Sequence, residues 1–179
     1  MTLGPMRGPG GAPVHPRVPI DADTLGARTI TLPTADDTRA FGRRLAGLLR
    51  PGDLVVLSGP LGAGKTALVQ GIGAGLGVRG SIVSPTFVIA RVHRPATGGI
   101  ALVHVDAYRL GSLDEVDDLD LDVDTASAVT AVEWGTGLVE QLADARLEIE
   151  LARADESEER TATLRPHGGD WAERLDGMG

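Results

Sequence analysis

"LSGPLGAGKT", residues 57–66, contains Lys65, the one lysine in a 179-residue chain that also carries sixteen arginines and no asparagine. Cationic positions elsewhere have all gone to arginine, so this one demands a reason. The run "LVVLS" (54–58) just before it is continuously apolar, as in a strand buried on both faces. "GPLGAG" breaks that run, and "KTALVQGIGAGLG" reads as a helix despite its glycines. Strand, glycine loop and helix in that order are the setting in which G-x-x-x-x-G-K-[ST], here Gly59 to Thr66, marks a phosphate-binding loop.

The residue types follow from the chemistry. A phosphate chain needs backbone N–H groups turned inward with no Cβ in the way, and Gly59, Gly62 and Gly64 allow that wrap. The helix after the loop offers free N–H groups and the positive end of its dipole. Lys65 adds a compact charge on a flexible stem that reaches between β- and γ-phosphates, where a planar guanidinium is too bulky. Thr66 can place its hydroxyl on Mg²⁺.

Alternating buried runs and helices predict an α/β fold, a largely parallel sheet covered on both faces. "RTITL" (28–32) reads as a strand. A helix follows, capped by Thr34, with Phe41, Leu45, Leu48 and Leu49 as its apolar stripe and Pro51-Gly52 as its stop. "TFVIARVH", "IALVHVD" and "AVTAVEW" read as strands, and a helix is expected around 137–143. "RLEIELAR" and "RTATLRP" alternate with period two and predict an antiparallel C-terminal hairpin joined by "ADESEE". Residues 1–28, rich in Gly and Pro, read as a disordered arm. The expected domain is 29–166, followed by a flexible tail at 167–179.

Composition narrows the function classes. Zero cysteines exclude disulfides, thiolate metal sites and a cysteine nucleophile. There is no apolar run of the ~18 residues that a membrane span needs, and the N-terminus lacks an apolar signal core, so a cytoplasmic protein is expected. Net charge is −8, which disfavours nonspecific binding to nucleic acid or an anionic membrane. "DEVDDLDLDVD" (114–124) has seven acids in eleven positions but fails the EF-hand pattern, with Val123 where Gly belongs. It reads as a solvated face or a dock for a basic partner. His15, His93, His104 and His167 show no metal-ligand spacing, and His104 alternates with Val103 and Val105, facing the other side of its strand.

Two acids end buried strands, Asp106 after "IALVHV" and Glu133 after "AVTAV". Both are expected at the carboxyl edge of the sheet beside the loop. One can hold Mg²⁺ and the other orient a water or complete the ion's shell, with the assignment between them open.

The segments "DDTRAFGRRLAGLLRPGDLVVLSGPLGAGKT", "GLGVRGSIVSPTF", "HVDAYRL" and "VEW" together resemble the TsaE family, small bacterial P-loop ATPases of tRNA threonylcarbamoyladenosine (t6A) biosynthesis. The resemblance runs from about Thr31 to Arg165 and contains four of the five aromatics. It implies a P-loop NTPase-like three-layer fold and a site for ATP or ADP with Mg²⁺. In that site Gly62, Ala63, Gly64, Lys65 and Thr66, with Ala67, cradle the phosphates. Thr66 and Glu133 look after Mg²⁺, and Asp106 is the Walker B-like acid needed for hydrolysis. Ser84, Pro85 and Thr86 form a switch-like loop, Trp134 lies next to the site, and the segment ending at Thr38 lies near the adenine. The loop around Ser157 closes from the other side. The implied partners are TsaB-like and TsaD-like proteins, with tRNA reached only through them. This chain departs from the family at Pro60, where an acid is usual, at Ala107, and in the "GTG" after Trp134.

Three rivals are distinguishable. A small-molecule kinase needs an arginine-bearing lid; Arg91, Arg94 and Arg109 are the candidates, and the segment at 91–99 is short for one. A GTPase usually carries N-K-x-D, which a chain without asparagine or a second lysine cannot supply. A nucleotide-sensing adaptor binds without turnover.

Overall fold

The computed structural model describes residues 26–85, 89–107, 124–133, 143–154 and 156–178. Seven strands form one sheet: β1 (Arg28–Leu32), β2 (Leu54–Ser58), β3 (Ala90–His93), β4 (Leu102–Asp106), β5 (Val129–Glu133), β6 (Arg146–Arg153) and β7 (Arg160–His167). Their order across the sheet is β1-β7-β6-β2-β5-β4-β3. The inner four, β6, β2, β5 and β4, run parallel. β7 pairs antiparallel with β6, β1 with β7, and β3 with β4. The expected largely parallel sheet with an antiparallel C-terminal hairpin is therefore present, and β1 and β3 add antiparallel edges that the sequence reading did not include.

Both faces of the centre are buried, as continuous apolar runs require. Val55 and Leu57 of β2 point into the larger cluster, and Leu54 and Val56 into the smaller. Helices α1 (Ala35–Ala46) and α2 (Lys65–Leu76) fill the larger cluster with Phe41, Leu45, Leu68, Val69 and Ile72. Thr34 caps α1 as expected: its Oγ1 accepts from the Asp37 N–H at 3.1 Å, and the Asp37 carboxylate accepts from the Thr34 N–H at 2.9 Å. Reciprocal capping of this kind stabilises a helix by about 1 kcal/mol.

The glycines inside α2 have a packing reason. A Cβ on Gly71 would lie 2.2 Å from the Arg39 carbonyl oxygen, and one on Gly75 would lie 2.4 Å from the Ala46 Cβ. From the other helix, a Cβ on Gly42 would come within 2.5 Å of the Leu68 carbonyl oxygen. The two helices thus touch backbone to backbone, which fixes the start of α2 against α1.

The expected flexible tail at 167–179 is corrected by a third helix, α3 (Trp171–Asp176). Gly168 and Gly169, at φ +60° and +56°, turn the chain back, and a Cβ on Gly168 would strike the Asp144 carbonyl oxygen at 2.4 Å. Trp171 and Leu175, one turn apart, are buried in the larger cluster. Arg174 lies over the Trp171 ring at 3.8 Å and donates from both terminal nitrogens to the Asp53 carboxylate, at 2.7 and 3.0 Å. The domain therefore extends through α3. The expected arm up to residue 25, the acidic stretch up to residue 123 and the helix at 137–142 lie outside the described residues. Among the described residues no helix is long and apolar enough to cross a membrane.

Two effects oppose each other at Gly71. Alanine would gain about 1 kcal/mol of helix propensity, but its Cβ collides with backbone that cannot swing away. The collision is expected to win, so Gly71→Ala should lower the unfolding free energy in urea by about 1–3 kcal/mol.

Candidate functional site

The loop after β2 sits at the carboxyl edge of the parallel strands, where α/β sheets place ligands. Gly59, Gly62 and Gly64 have φ of +136°, +79° and +105°, values that side-chain-bearing residues rarely adopt. Gly59 is further constrained because a Cβ there would lie 2.2 Å from the Leu151 carbonyl oxygen on β6. The Ala63 N–H donates to the Pro60 carbonyl at 3.1 Å and closes the loop's own turn. Gly64 caps α2 without a side chain, and the helical ladder begins with the Leu68 N–H donating to the Gly64 carbonyl at 2.9 Å. The first turn, Lys65 to Ala67, therefore turns its N–H groups and the helix's positive end toward the loop.

Lys65 is 5% exposed, and its Nζ donates to the carbonyls of Gly59 at 2.8 Å and Pro60 at 3.0 Å. Burial pushes its ammonium below the ordinary lysine range, while the charges of Glu133 and Asp106 oppose that shift. Those two acids are direct neighbours: Asp106 of β4 pairs in register with Glu133 of β5, which also pairs with Leu57 of β2. Both are buried. The Thr66 hydroxyl donates to Glu133 Oε1 at 3.2 Å. The structure thus brings together the glycines, Lys65, Thr66, Asp106 and Glu133. Hydroxyl and carboxylate oxygens are the donors a hard divalent ion prefers, and Thr66 with Glu133 and neighbouring Asp106 fit Mg²⁺. Among the described residues no group of three or more His, Cys, Asp or Glu side chains forms a metal cluster.

The other expected residues divide. Thr38 is fully buried beneath the loop, its methyl carbon 3.7 Å from where a Cβ of Gly64 would stand. Its hydroxyl donates to the Thr34 carbonyl at 3.1 Å. What the Thr38 side chain offers is packing under Gly64. Ser157 lies in the β6–β7 connection, where its carbonyl accepts from Arg153 Nε at 2.8 Å and its hydroxyl accepts from the Glu159 N–H at 3.0 Å. Ser84 is exposed and Pro85 buried, and the Pro85 carbonyl accepts from the Ile89 N–H at 2.9 Å. Thr86 and Trp134 lie outside the described residues.

Sequence reasoning placed His104 on the correct face but gave it no task. His104 is fully buried, and its Nε2 stands 2.7 Å from Glu133 Oε1. An ionised carboxylate only accepts, so Nε2 is the donor. Imidazole and hydroxyl thus converge on one oxygen of Glu133 and fix the carboxylate. The signal was in "HVD", whose period-two spacing puts His104 and Asp106 on one face.

With the site described, its relatives are informative. The profile of a protein family described as "Threonylcarbamoyl adenosine biosynthesis protein TsaE" matches residues 32–162. The chain is 59% identical over 138 residues to the tRNA threonylcarbamoyladenosine biosynthesis protein TsaE of Streptomyces coelicolor, covering 75% of this chain and 93% of the relative. It is 39% identical over 124 residues to the protein of the same name from Bacillus subtilis, covering 69% of this chain and 76% of the relative. The crystal structure of YdiB from Bacillus subtilis superposes with a TM-score of 0.70 at 30% identity, covering 85% of this chain and 93% of that one.

The His104–Glu133 contact is testable alone. Removing the imidazole leaves a buried carboxylate without that donor, so His104→Ala should cost about 1.5–3 kcal/mol in urea unfolding. The His104→Ala/Glu133→Ala double variant should lose less than the sum of the single losses.

Proposed function

The chain belongs to the TsaE family of threonylcarbamoyl adenosine biosynthesis proteins, and on that premise we propose that it binds ATP and ADP with Mg²⁺ and hydrolyses ATP. It does so as an accessory to a TsaB–TsaD pair in t6A modification of tRNA. The observation that carries the reading is the buried Lys65 ammonium, folded under a loop of positive-φ glycines and flanked by two carboxylates. Lys65 is held by two loop carbonyls beside those carboxylates, at the mouth of a loop whose backbone N–H groups suit an anion. A phosphate tail supplies that anion.

On this reading the residues divide the work. Backbone N–H groups of the loop and the first turn of α2 bind the phosphates, and Lys65 neutralises their charge. Thr66 and Glu133 hold the magnesium ion, which when bound offsets charge on the phosphate oxygens. His104 and the Thr66 hydroxyl fix Glu133. Asp106, in register with Glu133 at the same edge, orients the attacking water. Turnover by the isolated protein is slow and rises when the partner pair is added. The acidic net charge fits a protein that reaches tRNA only through its partners.

Calorimetry with magnesium present should register binding of ATP and ADP. Lys65→Ala should weaken both by roughly a hundredfold, the loss of a charge-assisted contact. Asp106→Ala should retain nucleotide affinity and lose roughly 10²–10⁴ in turnover, the usual size of a lost acid–base group. No heat from well-folded wild-type protein would rule out the proposal, and unchanged hydrolysis in Asp106→Ala would remove that residue from its role.

A further inference from the structure

Arg160 opens β7 at the carboxyl edge of the sheet, paired in register with Leu32 of β1 and Arg153 of β6. Its side chain lies across the glycine loop. A Cβ on Gly64 would stand 3.0 Å from Arg160 Nε and 3.1 Å from its Cδ, so the guanidinium stem packs against the glycine that the loop's backbone angle requires. One terminal nitrogen, Nη1, donates to the Glu158 carbonyl at 2.6 Å, in the β6–β7 connection. The Nε is buried and has no hydrogen-bond partner among the described residues. Other arginines here pair with carboxylates: Arg174 with Asp53, Arg165 with Glu150, Arg146 with Glu148. Arg160 has no such pair among the described residues.

An unmet buried donor on a charged group is costly, and beside it at Gly64 lies a further positive feature, the α2 N-terminus. Two like-signed elements meet at one end of the loop. An anion there relieves both at once. The carboxylates of Asp106 and Glu133 stand on the β5–β4 side, whereas Arg160 comes from β7, beyond β6. We infer that Arg160 contacts the phosphate chain of a nucleotide seated on the 59–66 loop, its Nε–H donating to a phosphate oxygen. This rests on the nucleotide reading given above and extends it to a residue outside the loop motif. Because Nη1 also grips the Glu158 carbonyl, phosphate occupancy and the order of the β6–β7 connection are linked through one guanidinium.

The test is calorimetry of ATP, ADP, adenosine and inorganic tripolyphosphate on the full chain, at several salt concentrations. Arg160→Gln is expected to weaken ATP, ADP and tripolyphosphate by roughly ten- to a hundredfold, the size of a charge-assisted hydrogen bond. Its affinity should also depend less steeply on salt than the wild type's, a change that a purely structural residue would not produce. Tripolyphosphate binding as in the wild type, or a loss confined to adenosine, overturns the inference and leaves nucleotide binding standing. If Arg160→Gln fails to fold, Arg160→Lys decides, because it keeps the charge but has no Nε–H: weakened tripolyphosphate binding supports the contact, and unchanged binding overturns it. Wild-type protein that takes neither ATP nor tripolyphosphate overturns the underlying reading together with this one.

Discussion

A single buried ammonium organises this molecule. Lys65 gives up water for two loop carbonyls and the nearby fields of Glu133 and Asp106. Desolvation still wins over those charges, since the ammonium is held below its ordinary range. A position like this persists only where the surrounding backbone leaves the side chain nowhere cheaper to go. Gly59 is pinned by the Leu151 carbonyl on one side, and α2 is pinned by α1 behind it. The loop is held at both ends, and the cation goes where the loop puts it.

The α1–α2 contact explains how a glycine-rich helix can serve as an anchor. Each glycine in α2 costs about 1 kcal/mol of propensity relative to alanine. Gly71 and Gly75 offset that by letting α1 approach to backbone contact, and Phe41, Leu45, Leu68 and Ile72 then close over a continuous apolar interior. The same approach lays Thr38 beneath Gly64, so the first helix supports the loop directly. Core packing and loop geometry are one problem here, which is why glycines that look like weaknesses in the sequence are structural requirements.

The legible parts of the sequence were those where local chemistry and tertiary demand agree. "LVVLS" followed by the glycine motif announced a buried strand, a loop and a helix, and Asp106 and Glu133 stood where strands end. Thr34 was readable as a cap because its partner Asp37 is three residues away. What escaped was non-local or too short. The six residues of α3 offer only Trp171 and Leu175 as apolar anchors, and the pair of glycines before them reads as loop. Its stability comes from Asp53 and the core, more than a hundred residues back in the chain. Arg160 carried no signal at all: an arginine opening a strand becomes distinctive only when Gly64 is found beneath it.

Strand order accounts for the polarity of the site. From β2 the chain travels outward to β3 and β4, returns to insert β5 beside β2, and then crosses to place β6 on β2's other flank. The loop after β2 is thereby bracketed by strands that arrive from opposite directions. From the β5 flank it receives the carboxylates, with His104 on β4 fixing one of them. From the β6 flank it receives a main-chain carbonyl against Gly59 and, through β7, a guanidinium against Gly64. The two carboxylates and the Arg160 guanidinium thus reach the loop from opposite flanks of β2. Carboxylates placed beside Arg160 would pair with it and cancel both. Keeping them on opposite flanks avoids that pairing, the arrangement that the proposed magnesium-bound phosphate chain would use.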